Sequence, residues 1–297
     1  MQDNRRLNSI GSAFMVAAMA AFAVEDALIK RATQDIPVAL ALMLFGVGGA
    51  ALFALMARLQ GHRLWTRDAR SRPMVIRVGF EITGRLFYVL ALWLAPLSSA
   101  TVILQATPLV VVAGAALFMG EQVGWRRWSA IFIGLTGVLI ILQPGADSFS
   151  PLSILAVIGM LGFAGRDLAS RAAPKTLSTS ALGFFGFLSI FAAGVLLHLI
   201  RPAPLALPSA STSLSLAAAT VAGVLAYSAL MKAMRTGAVS AVTPFRYTRL
   251  IFGIGLGVLV FGESLSPSMV LGSGLIVLSG LFILARGAAK SRPAPKA

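Results

Sequence analysis

Long apolar runs, broken by short polar punctuation, fill this chain from end to end. A helix rises 1.5 Å per residue, so roughly 20 apolar residues cross a hydrocarbon core. Ten segments meet that length, at about 9–30, 37–58, 74–95, 98–119, 126–143, 151–172, 178–200, 212–234, 238–261 and 267–286. The runs are continuous and lack the alternation of barrel strands, which predicts helices. Turn residues fall between them, at Thr33–Pro37, Pro96, Gly120–Gly124, Pro144–Gly145, Pro174, Pro202–Pro208, Thr236–Gly237 and Gly262–Pro267. Connections of a few residues predict antiparallel neighbours. The first run carries Glu25, Asp26 and Lys30 and has no small-residue cleavage site, so it is expected to stay as the first helix.

Composition excludes a soluble domain. Only 12% of the 297 residues are charged and 58% are hydrophobic, against about 25% charged in ordinary soluble domains. The net charge of +15 alone would suggest nucleic acid. Its placement argues against that partner and for a lipid bilayer, because the bases sit in short loops. With the N-terminus inside, 17 of the 25 Lys and Arg fall in inside segments, and Lys30, Arg31 and Arg201 fall outside. Arg77, Arg85, Arg166, Arg246 and Arg249 lie within spans. By the positive-inside rule this bias predicts an even helix count and two cytoplasmic termini.

The chain also resembles itself. Phe22-Ala23, Asp26 and Lys30 align with Phe163-Ala164, Asp167 and Arg171 at an offset of 141 residues. Ser98 to Thr101 align with Ser240 to Thr243, and Gly120-Glu121 with Gly262-Glu263, at an offset of 142. Thr136-Gly137 meets Ser279-Gly280 at 143. The reading is two repeats, 1–145 and 146–297, of five helices each. An odd count makes the second repeat enter the membrane from the opposite side. Such inverted pairs hold central sites at their interface. The fold class expected is therefore an all-α membrane protein of ten transmembrane helices in two inverted five-helix repeats.

Charges inside a membrane cost roughly 2.5–3.5 kcal/mol each at a helix centre, so they pair or face a cavity. Glu25, Asp26, Glu81, Arg85, Arg166, Asp167, Arg246, Tyr247 and Arg249 are the candidate substrate-binding or coupling residues. Asp26 and Asp167 are repeat mates. Glu25 and Arg166 occupy equivalent places with opposite charge and can pair, bind substrate or close a gate. Arg77, Glu81 and Arg85 share one face of the third segment at i, i+4, i+8; Arg77, Lys30 and Arg171 are expected to snorkel to the interface. Pro244 leaves a carbonyl free one turn back and opens the helix near Arg246 and Arg249. A guanidinium offers five donors and a flat face, suited to a heteroaromatic or anionic substrate. The competing reading makes these bases partners of Glu25, Asp26 or Asp167. Glu121 and Glu263 are read as neutralising helix ends or fixing loops. The Gly253-x3-Gly257 pair and the glycines of the second segment allow close helix approach.

Gly120-Glu121 with Trp128 and Gly134, then Gly262-Glu263 with Gly272, resemble the EamA-type carriers of the drug/metabolite transporter superfamily. Glu25-Asp26-x3-Lys30, Arg166-Asp167-x3-Arg171 and Thr243-Pro244-Phe245-Arg246-Tyr247 are similar to a branch that includes S-adenosylmethionine and riboflavin uptake carriers. The resemblance implies a secondary carrier of a small organic metabolite in a bacterial-type inner membrane. Other branches export amino acids, so direction stays open. The first repeat lacks a Pro-Phe-Arg-Tyr equivalent, although Gln105 and Pro108 lie nearby, and the site is expected to be asymmetric.

The remaining chemistry is excluded by residue type. With no cysteine and only His62 and His198 far apart, no metal site is expected. No phosphate loop of the Walker kind is present and no cofactor is implied. The loops are too short for a catalytic domain, so an enzyme is not expected, and a channel or receptor ranks equally low. Proton coupling and simple substrate exchange both stay open, as do monomer and homodimer.

Overall fold

The computed structural model describes residues 2–120, 122–143, 152–174, 176–236 and 242–290. Glu121, Pro144–Gly145, Gly237 and Ser240 lie outside them. Among the described residues the regular structure is helical: α1 (Gln2–Asp35), α2 (Val38–Leu59), α3 (Arg72–Leu94), α4 (Leu97–Leu104), α5 (Thr107–Phe118), α6 (Trp125–Leu142), α7 (Ser153–Ala172), α8 (Thr179–Ile200), α9 (Ala210–Thr236), α10 (Thr248–Phe261) and α11 (Pro267–Lys290). Short 3-10 turns stand at Asp68–Arg70 and Thr243–Tyr247.

Eight of these stretches are long and apolar enough to cross a membrane, and Pro267–Ile283 adds a shorter apolar helix. The chain is thus a multi-pass membrane protein. Helix α3 has the length to span, 23 residues, but carries Arg72, Arg77, Glu81 and Arg85. Large apolar side chains such as Phe118, Leu199 and Leu259 stand exposed on outer faces, as lipid-facing residues do.

Two spans are broken, one where a continuous helix is expected and one where Pro244 predicts an opening. Leu97–Phe118 breaks between α4 and α5, where Gln105 and Ala106 bond back only three residues. Thr243–Phe261 opens on a 3-10 turn before α10. Proline explains both. Pro108 and Pro244 sit at the first positions of the segments that follow, where the missing N–H and fixed φ suit a helix start.

The largest helix interfaces run between the two halves of the chain, α1 on α9, α2 on α8, α3 on α7 and α6 on α11, and α4 on α10 is a smaller one of the same kind. Exchanging the halves turns the α1–α9 pair into the α7–α3 pair and returns each of the other three to itself. Helices α6 and α11 approach closely. A Cβ on Gly137 would lie 2.6 Å from the Gly272 carbonyl oxygen, and one on Gly272 would lie 2.5 Å from the Gly137 oxygen. Small residues of this kind let membrane helices touch backbone to backbone. The apolar core divides accordingly, one cluster around α4, α5, α6, α7 and α10, another around α2, α3 and α8.

Candidate functional site

The two broken spans face each other. Gln105, at the break between α4 and α5, donates from Nε2 to the Arg246 carbonyl oxygen in the 3-10 turn, 2.9 Å away. A helix break frees backbone carbonyls that need new partners. Here each break lies beside the other and the side chain of one serves the backbone of the other.

Charged residues of α1, α3, α7 and the 243–249 segment gather at this place in two groups. In the first, Arg85 Nη1 donates to Glu25 Oε1 at 2.7 Å. Arg249 Nη2 donates to Asp26 Oδ2 at 2.5 Å, and the Tyr88 hydroxyl donates to the same oxygen at 3.0 Å. Glu25 and Asp26 are 1% and 0% exposed. In the second group, Arg166 binds Asp167 Oδ1 through Nη2 and Nε at 2.8 and 3.0 Å. Its Nη1 reaches Glu81 Oε1 at 3.3 Å. Arg77 Nη2 stands 3.6 Å from Glu81 Oε2 and Arg77 Nε donates to Ser170 Oγ at 3.0 Å. Arg246 Nη2 lies 3.7 Å from Asp167 Oδ2. That contact is loose, and the Arg246 side chain is the most open of the set at 28%.

The duplicated aspartates therefore meet one short segment: Asp26 takes Arg249, and Asp167 takes Arg246. The matching aromatic residues Phe22 and Phe163 each lie under a guanidinium, though only Phe22 under one from that segment. Arg249 lies over the Phe22 ring at 5.1 Å, and Arg166 lies over Phe163 at 4.8 Å. Arg85 also lies over Phe163, 5.8 Å from its centroid, so that ring links the two groups. Cation–π contacts of this type favour a guanidinium in a desolvated place.

Eight of the nine sequence candidates come together here. Tyr247 does not join them. It packs against α11, its hydroxyl oxygen 1.5 Å from where a Cβ on Gly280 would stand. Glu25 and Arg166 do not pair with each other; each finds a partner on α3. Two bases expected at the interface are buried instead. Arg77 is 3% exposed, because Glu81 and Ser170 hold its guanidinium inside. Lys30 is 9% exposed, and its ammonium donates to the Leu92 and Ala95 carbonyl oxygens at 2.8 and 2.6 Å. Sequence reading missed Tyr88, Phe22 and Phe163 as site residues. The Phe22–Phe163 match in the repeat was the available signal, but apolar matches are common in such a chain.

The network is incompletely satisfied. Glu25 Oε2, Asp26 Oδ1, Arg77 Nη1, Arg85 Nε and Arg249 Nε are buried without a hydrogen-bond partner among the described residues. Native interiors leave few such groups. Spare donors and acceptors next to loosely held ions are what an exchange of partners requires. Among the described residues no group of three or more His, Cys, Asp or Glu could hold a metal ion.

The sequence profile of the EamA-like transporter family matches this chain twice, over residues 9–143 and 151–285. The chain belongs to that family. Its relatives in the family carry transport names. It is 29% identical over 287 residues to a riboflavin transporter of Vibrio cholerae, covering 95% of each chain. It is 27% identical over 216 residues to an S-adenosylmethionine uptake transporter of Rickettsia conorii, covering 72% of each. It is 26% identical over 289 residues to a pseudopaline exporter of Pseudomonas aeruginosa, covering 94% of this chain and 98% of that one. This EamA chain is thus similar to an uptake transporter and to an exporter alike.

Proposed function

We propose that this EamA-like chain is a secondary carrier that takes up a heteroaromatic metabolite of the riboflavin or S-adenosylmethionine kind across a bacterial-type inner membrane. It is not an enzyme. Ten transmembrane helices form two inverted five-helix repeats, with both termini in the cytoplasm. The exchange symmetry of the helix interfaces and the double family match support the repeat. The substrate contacts the charged group at the two helix breaks, where alternating access around a central site is expected.

One observation carries the reading. Asp26 and Asp167, copies of one ancestral position, are both held by arginines of the single 243–249 segment. A rocking of the two repeats changes the distance from that segment to one aspartate relative to the other. The charges then exchange partners rather than become unpaired, which a buried ion would not tolerate. Arg246 is the group through which substrate first engages, because its one contact to Asp167 is long and its side chain is the most open.

The test is counterflow in proteoliposomes with labelled riboflavin and labelled S-adenosylmethionine, alongside thermal-shift binding of each. One compound is expected to exchange saturably and to stabilise the protein. Arg246→Ala and Asp26→Asn are expected to remove exchange by at least about tenfold, the loss of one charge-assisted hydrogen bond. Wild-type exchange that survives both substitutions would sink the central site. A second reading, export, is favoured by the likeness to the pseudopaline exporter; efflux from loaded cells that outpaces uptake would select it.

A further inference from the structure

We propose that Glu263 and Lys30 form a clasp that shuts one mouth of the transport path at the α3–α4 corner, and that this clasp opens in each cycle. The proposal rests on the carrier reading above.

The corner at Ala95-Pro96 ends one helix and starts another. The last carbonyls of α3 and the first amides of α4 therefore lack helical partners. Opposite charges satisfy both sets. Lys30 Nζ, from α1, donates to the carbonyl oxygens of Leu92 and Ala95 at 2.8 and 2.6 Å. The Glu263 carboxylate accepts from the Leu97 amide at 2.6 Å, the Ser98 amide at 2.9 Å and the Ser98 hydroxyl at 2.6 Å. Lys30 and Glu263 stand 4.0 Å apart. An anion at a helix N-terminus and a cation at a helix C-terminus are each on the favourable side of the backbone dipole.

The acid and the corner belong to different halves of the chain, 165 residues apart. Local structure aims Glu263 at its target. Gly262 takes φ +65°, and the amide of Glu263 bonds back to the Gly257 carbonyl at 3.0 Å. This left-handed helix end turns the chain over α10. Gly257 leaves room for the folded-back carboxylate, since a Cβ there would meet Glu263 Oε2 at 2.6 Å.

The seam beneath can part. Helix α10 meets α4 through Gly257 on Ser98 and Gly253 on Thr101. At these two points the contact is between small residues, which lets the helices lie close without interlocking side chains. Every group of the clasp is polar and can bond to water when the corner swings away. Thr101, one turn below Ser98, is fully buried while the clasp is closed.

The chain has no cysteine, so a single introduced thiol reports cleanly. Thr101→Cys protein in lipid nanodiscs is reacted with a small charged methanethiosulfonate. With Glu263 intact, labelling is expected to be slow. Glu263→Ala is expected to speed it about tenfold, and Glu263→Gln, which keeps an acceptor oxygen, by less. Should the alanine variant not fold, the glutamine variant carries the comparison. A Ser98→Cys/Glu263→Cys pair, oxidised, is expected to stop counterflow of whichever compound the wild type exchanges, and reduction to restore it. Equal labelling rates with and without Glu263 would overturn the clasp. Those rates need no substrate, so a wrong substrate assignment would leave them unchanged and would be told apart from a wrong clasp.

Discussion

At the residue scale, one of the two interior charge groups is arranged as acids with more than one base in reach. Glu81 lies near Arg166 and Arg77, and Asp167 near Arg166 and Arg246. Removing one partner of a buried pair strands the other, whereas a shared acid has an alternative. Tyr247 shows the opposite case, a buried hydroxyl with no hydrogen-bond partner among the described residues. Its hydroxyl occupies the space that Gly280 leaves by lacking a side chain. Gly280→Ala is expected to lower the thermal midpoint in detergent, by overpacking worth about 1–3 kcal/mol. In a Tyr247→Ala background the same change is expected to cost almost nothing. Equal costs in the two backgrounds would show that the ring does not depend on Gly280. The charged residues were legible as a set from their cost in lipid. Their partners were not, because each base had several acids within plausible reach.

At the element scale, the two broken spans are the distinguishing feature. Pro108 and Pro244 were visible in the sequence, and Pro244 was expected to open its helix. The break at Gln105 was not expected, since Leu97–Phe118 carries no charge and reads as one span. A proline permits a break; what faces the freed carbonyls decides whether the break persists. Gln105 meets that need across the interface, with its hydrogen bond to the Arg246 carbonyl. Gln105→Leu is expected to cost about 1 kcal/mol of stability, one part-buried hydrogen bond. It is also expected to slow transport more than Thr136→Ala, whose hydroxyl bonds only within its own helix. If both variants transported at the wild-type rate, the paired breaks would have no part in transport.

At the scale of the whole molecule, apolar outer faces, cross-half helix pairing and an interior charge network describe one carrier body. The proposed orientation rests on the bases in the loops. The absence of cysteine makes the prediction direct. Arg63→Cys is expected to react only from the cytoplasmic side, and Leu207→Cys, 97% exposed, only from the outer side. Labelling of both from one side would contradict the inverted ten-helix arrangement. Double family matching over 9–143 and 151–285 is the whole-chain feature that composition alone could not supply.

The sequence by itself determined that the chain is helical and membrane-embedded, because hydrocarbon admits few backbone solutions and 58% of its residues are hydrophobic. It also marked the charges that gather in the interior, because few are placed inside apolar runs. The tertiary structure alone decided the pairing. Asp26 with Arg249 and Glu263 with Ser98 are separated by 223 and 165 residues. Contacts across such distances depend on how the helices pack, which periodicity does not encode. For the same reason Arg77 and Lys30 proved to be buried. A base near a helix end snorkels only when nothing closer accepts its protons, and here Glu81, Ser170 and the α3 carbonyls do.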